Sequence, residues 1–255
     1  MKPLLFYFLC IVSSLSFAEK DFQALSQEAY SSYQKGEQAQ TISERNTAFN
    51  QALKYYSQIE AVAPSGELFY NIANAYFQLQ EYEKALLYYA RAKELLPREQ
   101  KIDVNLEIAL SKISNPESWH SQYWLKLFTL KQWFSKKEMN YLFLTILILC
   151  FASSSLLIWF KKPIWRTTSL LLGLIFIYIF SLFVSRTYFL KAEAVAMQNV
   201  MIYRDAGIHY GSVSDSPLSS GFLFEVLGEE ENGWIKVRLN NEVWGYVPQK
   251  NLEII

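Results

Sequence analysis

The chain has 255 residues, with 24 Lys and Arg against 24 Asp and Glu, so it offers no electrostatic drive toward nucleic acid and no nucleic-acid partner is expected. Of its two cysteines, Cys10 lies in a segment expected to be removed and Cys150 in an apolar helix, which excludes a disulfide framework within one mature chain.

Met1-Lys2-Pro3 is a small positive start, Leu4 to Val12 is apolar, and Ser16-Phe17-Ala18 ends in small residues before Glu19. This is the pattern of a cleavable secretory signal over residues 1–18, with everything from residue 19 onward exported. Lipoprotein processing is not expected, because Cys10 sits inside the apolar run. Were cleavage to fail, Lys2 would still hold the N-terminus inside.

Residues 19–115 read as helices. From Gly66 to Pro97 the spacing is Phe69, Ile72, Ala73, Tyr76, Tyr82, Ala85, Tyr89, Ala92, Pro97. These positions resemble the 34-residue tetratricopeptide repeat, in which small residues let two antiparallel helices approach and aromatics fill the space between them. Ala52, Tyr56 and Pro64 repeat the spacing of Ala85, Tyr89 and Pro97, and mark an earlier, degenerate unit. Its first helix is expected to hold Phe22, Leu25, Ala29, Tyr30 and Tyr33, joined to the next by a connection, Gln34 to Asn46, longer than the tight turn of the family. Ile102, Leu106, Ala109, Leu110 and Ile113 then recur at helical spacing until Asn115-Pro116, as a capping helix or half repeat. The resemblance implies that the first helix of the repeat lines a concave face. That makes Glu67, Tyr70, Asn74, Phe77 and Gln78 the candidate partner-binding residues, although the same set would also suit an ordinary solvated face. An Asn amide offers a donor and an acceptor to an extended peptide backbone.

Residues 116–140 form an amphipathic, aromatic-rich link. Trp119, Tyr123, Leu127, Leu130 and Phe134 share one helical stripe, and Lys126, Lys131, Lys136 and Lys137 supply positive charge. Such a helix lies in the interface with membrane lipid or packs on the repeat array.

Two uncharged apolar runs follow, 141–160 and 167–185, joined by a basic link at 161–166. Each approaches the ~20 residues that cross ~30 Å of hydrocarbon, with aromatics at the ends, so both are expected to be transmembrane helices. So short a link turns the chain back, which leaves both soluble parts on one face. Flanking lysines divide the positive-inside argument, and the signal decides the side: a two-pass protein of a bacterial inner (cytoplasmic) membrane, with both soluble domains in the periplasm. The helices carry no charged residue, which argues against an ion pathway. Ser153, Ser154 and Ser155 offer a surface for packing copies together.

After Lys191 the composition changes. Ala194 to Met197, Val200 to Tyr203, Phe222 to Leu227, Trp234 to Leu239 and Glu242 to Val247 are short runs bounded by Gly, Asn, Ser and Pro, the pattern of a small antiparallel barrel over 191–255. Ile235, Val237 and Leu239 are placed to face a core, Lys236 and Arg238 water, with turns at Asn240-Asn241 and Glu229 to Gly233. Gly233-Trp234-Ile-Lys-Val-Arg and Trp244-Gly245-Tyr246-Val247-Pro248 resemble the bacterial SH3-like (SH3b) domain, which implies binding of cell-wall peptides or proteins. Trp234, Trp244 and Tyr246 serve either as packing or as ligand platforms.

The fold class is thus a multidomain membrane protein: an all-α tetratricopeptide-repeat domain, a two-helix transmembrane hairpin and a small all-β SH3-like barrel. That order, with Asn105-Leu106-Glu107-Ile108-Ala109 and a Trp-rich link before the hairpin, resembles the BatE proteins of the bacterial aerotolerance (Bat) operon. The resemblance implies an envelope scaffold beside von Willebrand factor A-type Bat proteins and a MoxR-type ATPase. It carries over no catalytic residue. The two histidines, His120 and His209, have no neighbour at metal-ligand spacing, and no nucleophile or phosphate-loop motif is present. No catalytic residue, metal or cofactor is therefore expected. The alternative to a scaffold is a sensor or anchor that binds peptidoglycan peptide through the SH3-like domain.

Overall fold

A computed structural model describes residues 22–114, 134–160, 162–184, 192–230, 232–239 and 243–255. The signal segment, the stripe from Trp119 to Leu130 and the Asn240-Asn241 turn lie outside them. The described residues form two compact units, one of residues 22–92 with Val104–Lys112, the other of Lys93–Asp103 with those from Ile113 onward.

The helical part comprises α1 (22–38), α2 (Ile42–Val62), α3 (Gly66–Gln78), α4 (Tyr82–Leu95) and α5 (Gln100–Leu110). Ala29, Ala52, Ala73, Ala85 and Ala92 are fully buried, as close helix crossings demand, and Tyr56 and Tyr89 fill the gaps they leave. Tyr76 stacks on Tyr88 at 5.6 Å between ring centroids, and Tyr88 donates its hydroxyl to Glu60 at 3.1 Å.

Two features correct the expected long connection between Gln34 and Asn46. The connection is only residues 39–41, because both flanking helices run further than their apolar positions suggest. Thr41 caps α2, its Oγ1 accepting from the Glu44 N–H at 3.2 Å. Gly36 is helical and lies against Phe49, whose ring carbons would be 2.9 Å from a Cβ at that position. The residue that suggests a loop is there to let two helices touch.

α3 starts on Ser65, whose Oγ accepts from the Leu68 N–H. It ends in a Schellman turn: Glu81 N–H bonds to the Tyr76 carbonyl and Gln80 N–H to Phe77, with Gln80 at φ +64°. A left-handed residue closes such turns, and glutamine occupies it here without glycine's freedom.

Among the described residues, two helices are long and apolar enough to cross a membrane, α6 (Lys136–Phe160) and α7 (Pro163–Val184). α6 begins before the apolar run, at a capping box: Ser135 Oγ accepts from Glu138 N–H at 3.2 Å, and Glu138 Oε2 from Ser135 N–H at 2.8 Å. α7 begins at Pro163, the position where a missing N–H costs nothing, so Ile164, Trp165 and Arg166 are helical rather than part of the link. The helices pair through Phe143 stacked on Phe183 at 5.3 Å, Cys150 Sγ donating to the Leu172 carbonyl, and Ser169 Oγ to Ser153 Oγ at 3.3 Å.

The C-terminal part is a five-stranded antiparallel sheet, in the order β4-β3-β2-β1-β5, of β1 (Glu193–Ala196), β2 (Leu223–Glu230), β3 (Trp234–Arg238), β4 (Trp244–Pro248) and β5 (Leu252–Ile254). Ile235 and Val237 are buried and Lys236 and Arg238 are not, the alternation of a half-covered strand. Val200 to Tyr203, expected as a strand, forms only isolated bridges, Val200 to Leu218 and Tyr203 to Ser212 and Tyr246. β5 follows a short 3-10 turn and pairs with β1. It is too brief to leave a pattern in the sequence. Val195, Ile202, Leu223, Phe224 and Val247 are among the residues closed off from solvent here.

Candidate partner-binding site

Asn74, Phe77 and Gln78 stand one turn apart on α3 and so share a face. Tyr33 from α1, Tyr89 from α4 and Asn105 and Ile108 from α5 meet them around a cleft of about 250 Å³. Four helices thus contribute to one concavity.

The floor is a hydrogen-bonded chain of neutral groups. Tyr89 donates its hydroxyl to Asn74 Oδ1 at 2.6 Å, while Asn105 Nδ2 donates to the same oxygen at 3.1 Å and to Tyr70 Oη at 2.9 Å. The Tyr70 and Tyr89 rings are tilted against each other at 5.9 Å. Arg45 hydrogen-bonds Gln78 Oε1, and its guanidinium lies 5.7 Å from the centre of the Phe49 ring. Phe77 meets Tyr82 edge to face.

Burial governs the ionisation of the two phenols. It pushes Tyr33 up to about 12, with the Glu37 carboxylate adding to the shift. It also raises Tyr89, where the Asn105 amide works in the opposite direction. Both stay protonated at neutral pH, and none of the seven lining residues bears a formal charge. Among the described residues, no group of three His, Cys, Asp or Glu comes together as a metal would need.

Of the residues singled out in the sequence, Asn74, Phe77 and Gln78 line the cleft, Tyr70 braces it through Asn105, and Glu67 is exposed in the first turn of α3 away from the lining. Tyr33, Tyr89, Asn105 and Ile108 are additional. Tyr89 reads in the sequence as helix packing, which it also performs. Asn105 could have been noticed as an amide set between Ile102 and Leu106, both buried.

A second concavity, of about 550 Å³, lies beside the sheet, lined by Ile208, Asn232, Trp234, Pro248, Gln249 and Lys250. Trp234 is half-buried and meets Tyr203 edge to face at 5.5 Å. Trp244 is 48% exposed, with Lys236 Nζ 4.2 Å from its ring centre, and Tyr246 is buried.

A family model described as tetratricopeptide repeat matches residues 66–99, the span of α3, α4 and the turn after them. No curated protein and no solved structure matches the chain. The match places α3 and α4 in a repeat class used for protein interaction and stops short of α5.

Proposed function

We propose that this chain is a non-enzymatic, membrane-anchored envelope scaffold that grips an extended segment of a protein partner in the cleft between α1, α3, α4 and α5. The observation that carries this reading is the Asn74 amide, held at the floor of a neutral, aromatic-walled concavity within the matched repeat. The apolar hairpin supplies the anchor, and the signal pattern of residues 1–18 puts both soluble parts in the periplasm. The resemblance to BatE proteins makes von Willebrand factor A-type Bat proteins and a MoxR-type ATPase complex the candidate partners. In this reading the sheet is an SH3-like barrel that adds a second contact.

A second reading is favoured by the Trp234 concavity, where an aromatic ring and the Lys250 cation together in the lining suit an acidic cell-wall peptide. The two are separated by purifying the tagged full chain in detergent beside its Asn74→Ala variant, and by sedimenting both with isolated sacculi. Envelope proteins that co-purify with the unaltered chain and are lost from the variant support the scaffold. Sedimentation with sacculi, and no Asn74-dependent protein, puts the wall-binding reading in its place.

A further inference from the structure

The Asn74 amide is fixed by its neighbours. Its Oδ1 has two lone pairs, and both are taken, one by the Tyr89 hydroxyl and one by Asn105 Nδ2. Turning the amide over would set its NH2 against the Asn105 amide N–H, a donor, so Nδ2 is left as the remaining polar valence, and among the described residues it has no partner. Asn105 spends its Nδ2 on Tyr70 and Asn74, which leaves its own Oδ1 uncommitted among the described residues. One donor and one acceptor from two different helices thus face a ligand, the complement of a main-chain carbonyl and N–H. The other lining groups are neutral, and Arg45, which is not among them, hydrogen-bonds the lining residue Gln78. A carboxylate entering here would lose its hydration with no cation among the lining residues to replace it.

We propose that Asn105, on α5 beyond the matched repeat, is the positioning residue of the cleft, holding Asn74 so that the two amides receive an uncharged main-chain segment rather than an acidic tail. This rests on the partner-binding reading above and names what that site selects.

The test pans a random dodecapeptide phage library on the full chain in lipid nanodiscs, with the Asn74→Ala variant as counter-selection, and titrates synthetic copies of the recovered peptides. Recovered sequences are expected to be uncharged across their central residues and to lose binding when one backbone amide is N-methylated. Asn105→Asp accepts but cannot donate, so it draws Nδ2 of Asn74 out of the cleft and weakens binding about tenfold. Tyr89→Phe, which keeps the ring and removes the other donor, weakens it in the same direction. The helical circular dichroism of Asn105→Asp matches that of the unaltered chain while peptide affinity falls, which separates positioning from a general loss of structure. Enrichment of acidic peptides, or full affinity in both Asn105→Asp and Tyr89→Phe, overturns the inference while leaving the partner site standing. Recovery of no Asn74-dependent peptide overturns both.

Discussion

Gly245 sits in β4 where the segment around Tyr203 crosses it. A Cβ there would lie 2.6 Å from the Tyr203 carbonyl oxygen, 3.1 Å from Val213 Cγ2, and closer still to Ile202 Cγ2. The carbonyl belongs to backbone paired with Tyr246 in both directions, Tyr203 N–H to Tyr246 O at 2.9 Å and Tyr246 N–H to Tyr203 O at 2.8 Å. Gly245→Ala can be accommodated only by moving that segment away. Overpacking alone costs about 1–3 kcal/mol, and weakening the paired bonds adds about 1 kcal/mol, for a total of about 2–4 kcal/mol. Gly228 is the control, because nothing lies within 4 Å of a Cβ there and its φ is not positive. Several domains share the chain, so one melting curve does not report on the sheet. Hydrogen exchange of β3 and β4 peptides in the full chain does, and 2–4 kcal/mol corresponds to exchange faster by about 30- to 1000-fold. Exchange within threefold of the unaltered chain, or equal damage from Gly228→Ala, would refute the packing described.

Gln80→Gly relieves a left-handed glutamine in the α3–α4 turn and is expected to stabilise the helices by about 0.5–1 kcal/mol, read as hydrogen exchange of α3 and α4 peptides slower by about two- to fivefold; unchanged or faster exchange contradicts the Schellman turn. Burial raises Tyr33 and Tyr56 to about 12, and raises Tyr88 and Tyr89 as well. A group raised on folding contributes stability that is complete below its unfolded value, near 10, and is lost as pH climbs toward the folded one. Helical signal should therefore hold to pH 10 and fall between 10 and 12 as tyrosinate absorbance at 295 nm appears; full tyrosine ionisation near pH 10 with the helices intact would show these phenols are not buried. Single cysteines placed at Glu99 and Lys250 in a Cys150→Ser background should react in intact cells with a membrane-impermeant maleimide, and one at Lys162 should not. The reverse pattern would invert the proposed topology.

Much of the helical packing is legible in the spacing of Ala73, Ala85, Ala92 and the aromatics around them, since close crossings admit few side chains. The α1–α2 turn is not. Residues 34 to 46 are mostly polar, and a helix exposed along that stretch has no apolar periodicity to reveal it; Gly36 adds a false loop signal. Thr41-Ile42-Ser43-Glu44 does carry a helix-start pattern, which the structure uses through Thr41. At the site, Asn74, Phe77 and Gln78 can be grouped because one helix carries them at neighbouring turns. Tyr33 and Asn105 cannot, since only the packing of α1 and α5 brings them to the same cleft. In the sheet, the alternation of Ile235 and Val237 with Lys236 and Arg238 is plain, whereas β5 and the bridging role of Tyr203 depend on pairing with distant residues.

Whether α3 presents a protein-binding cleft is read by in-cell photocrosslinking from Phe77, replaced by a benzoylphenylalanine, with Trp234 replaced in a second strain. Adducts from position 77 to membrane-anchored envelope proteins, abolished by Asn74→Ala, are the expected result. No protein adduct at position 77, with muropeptide adducts at position 234, would rule out the cleft as the binding site and move the function to the sheet.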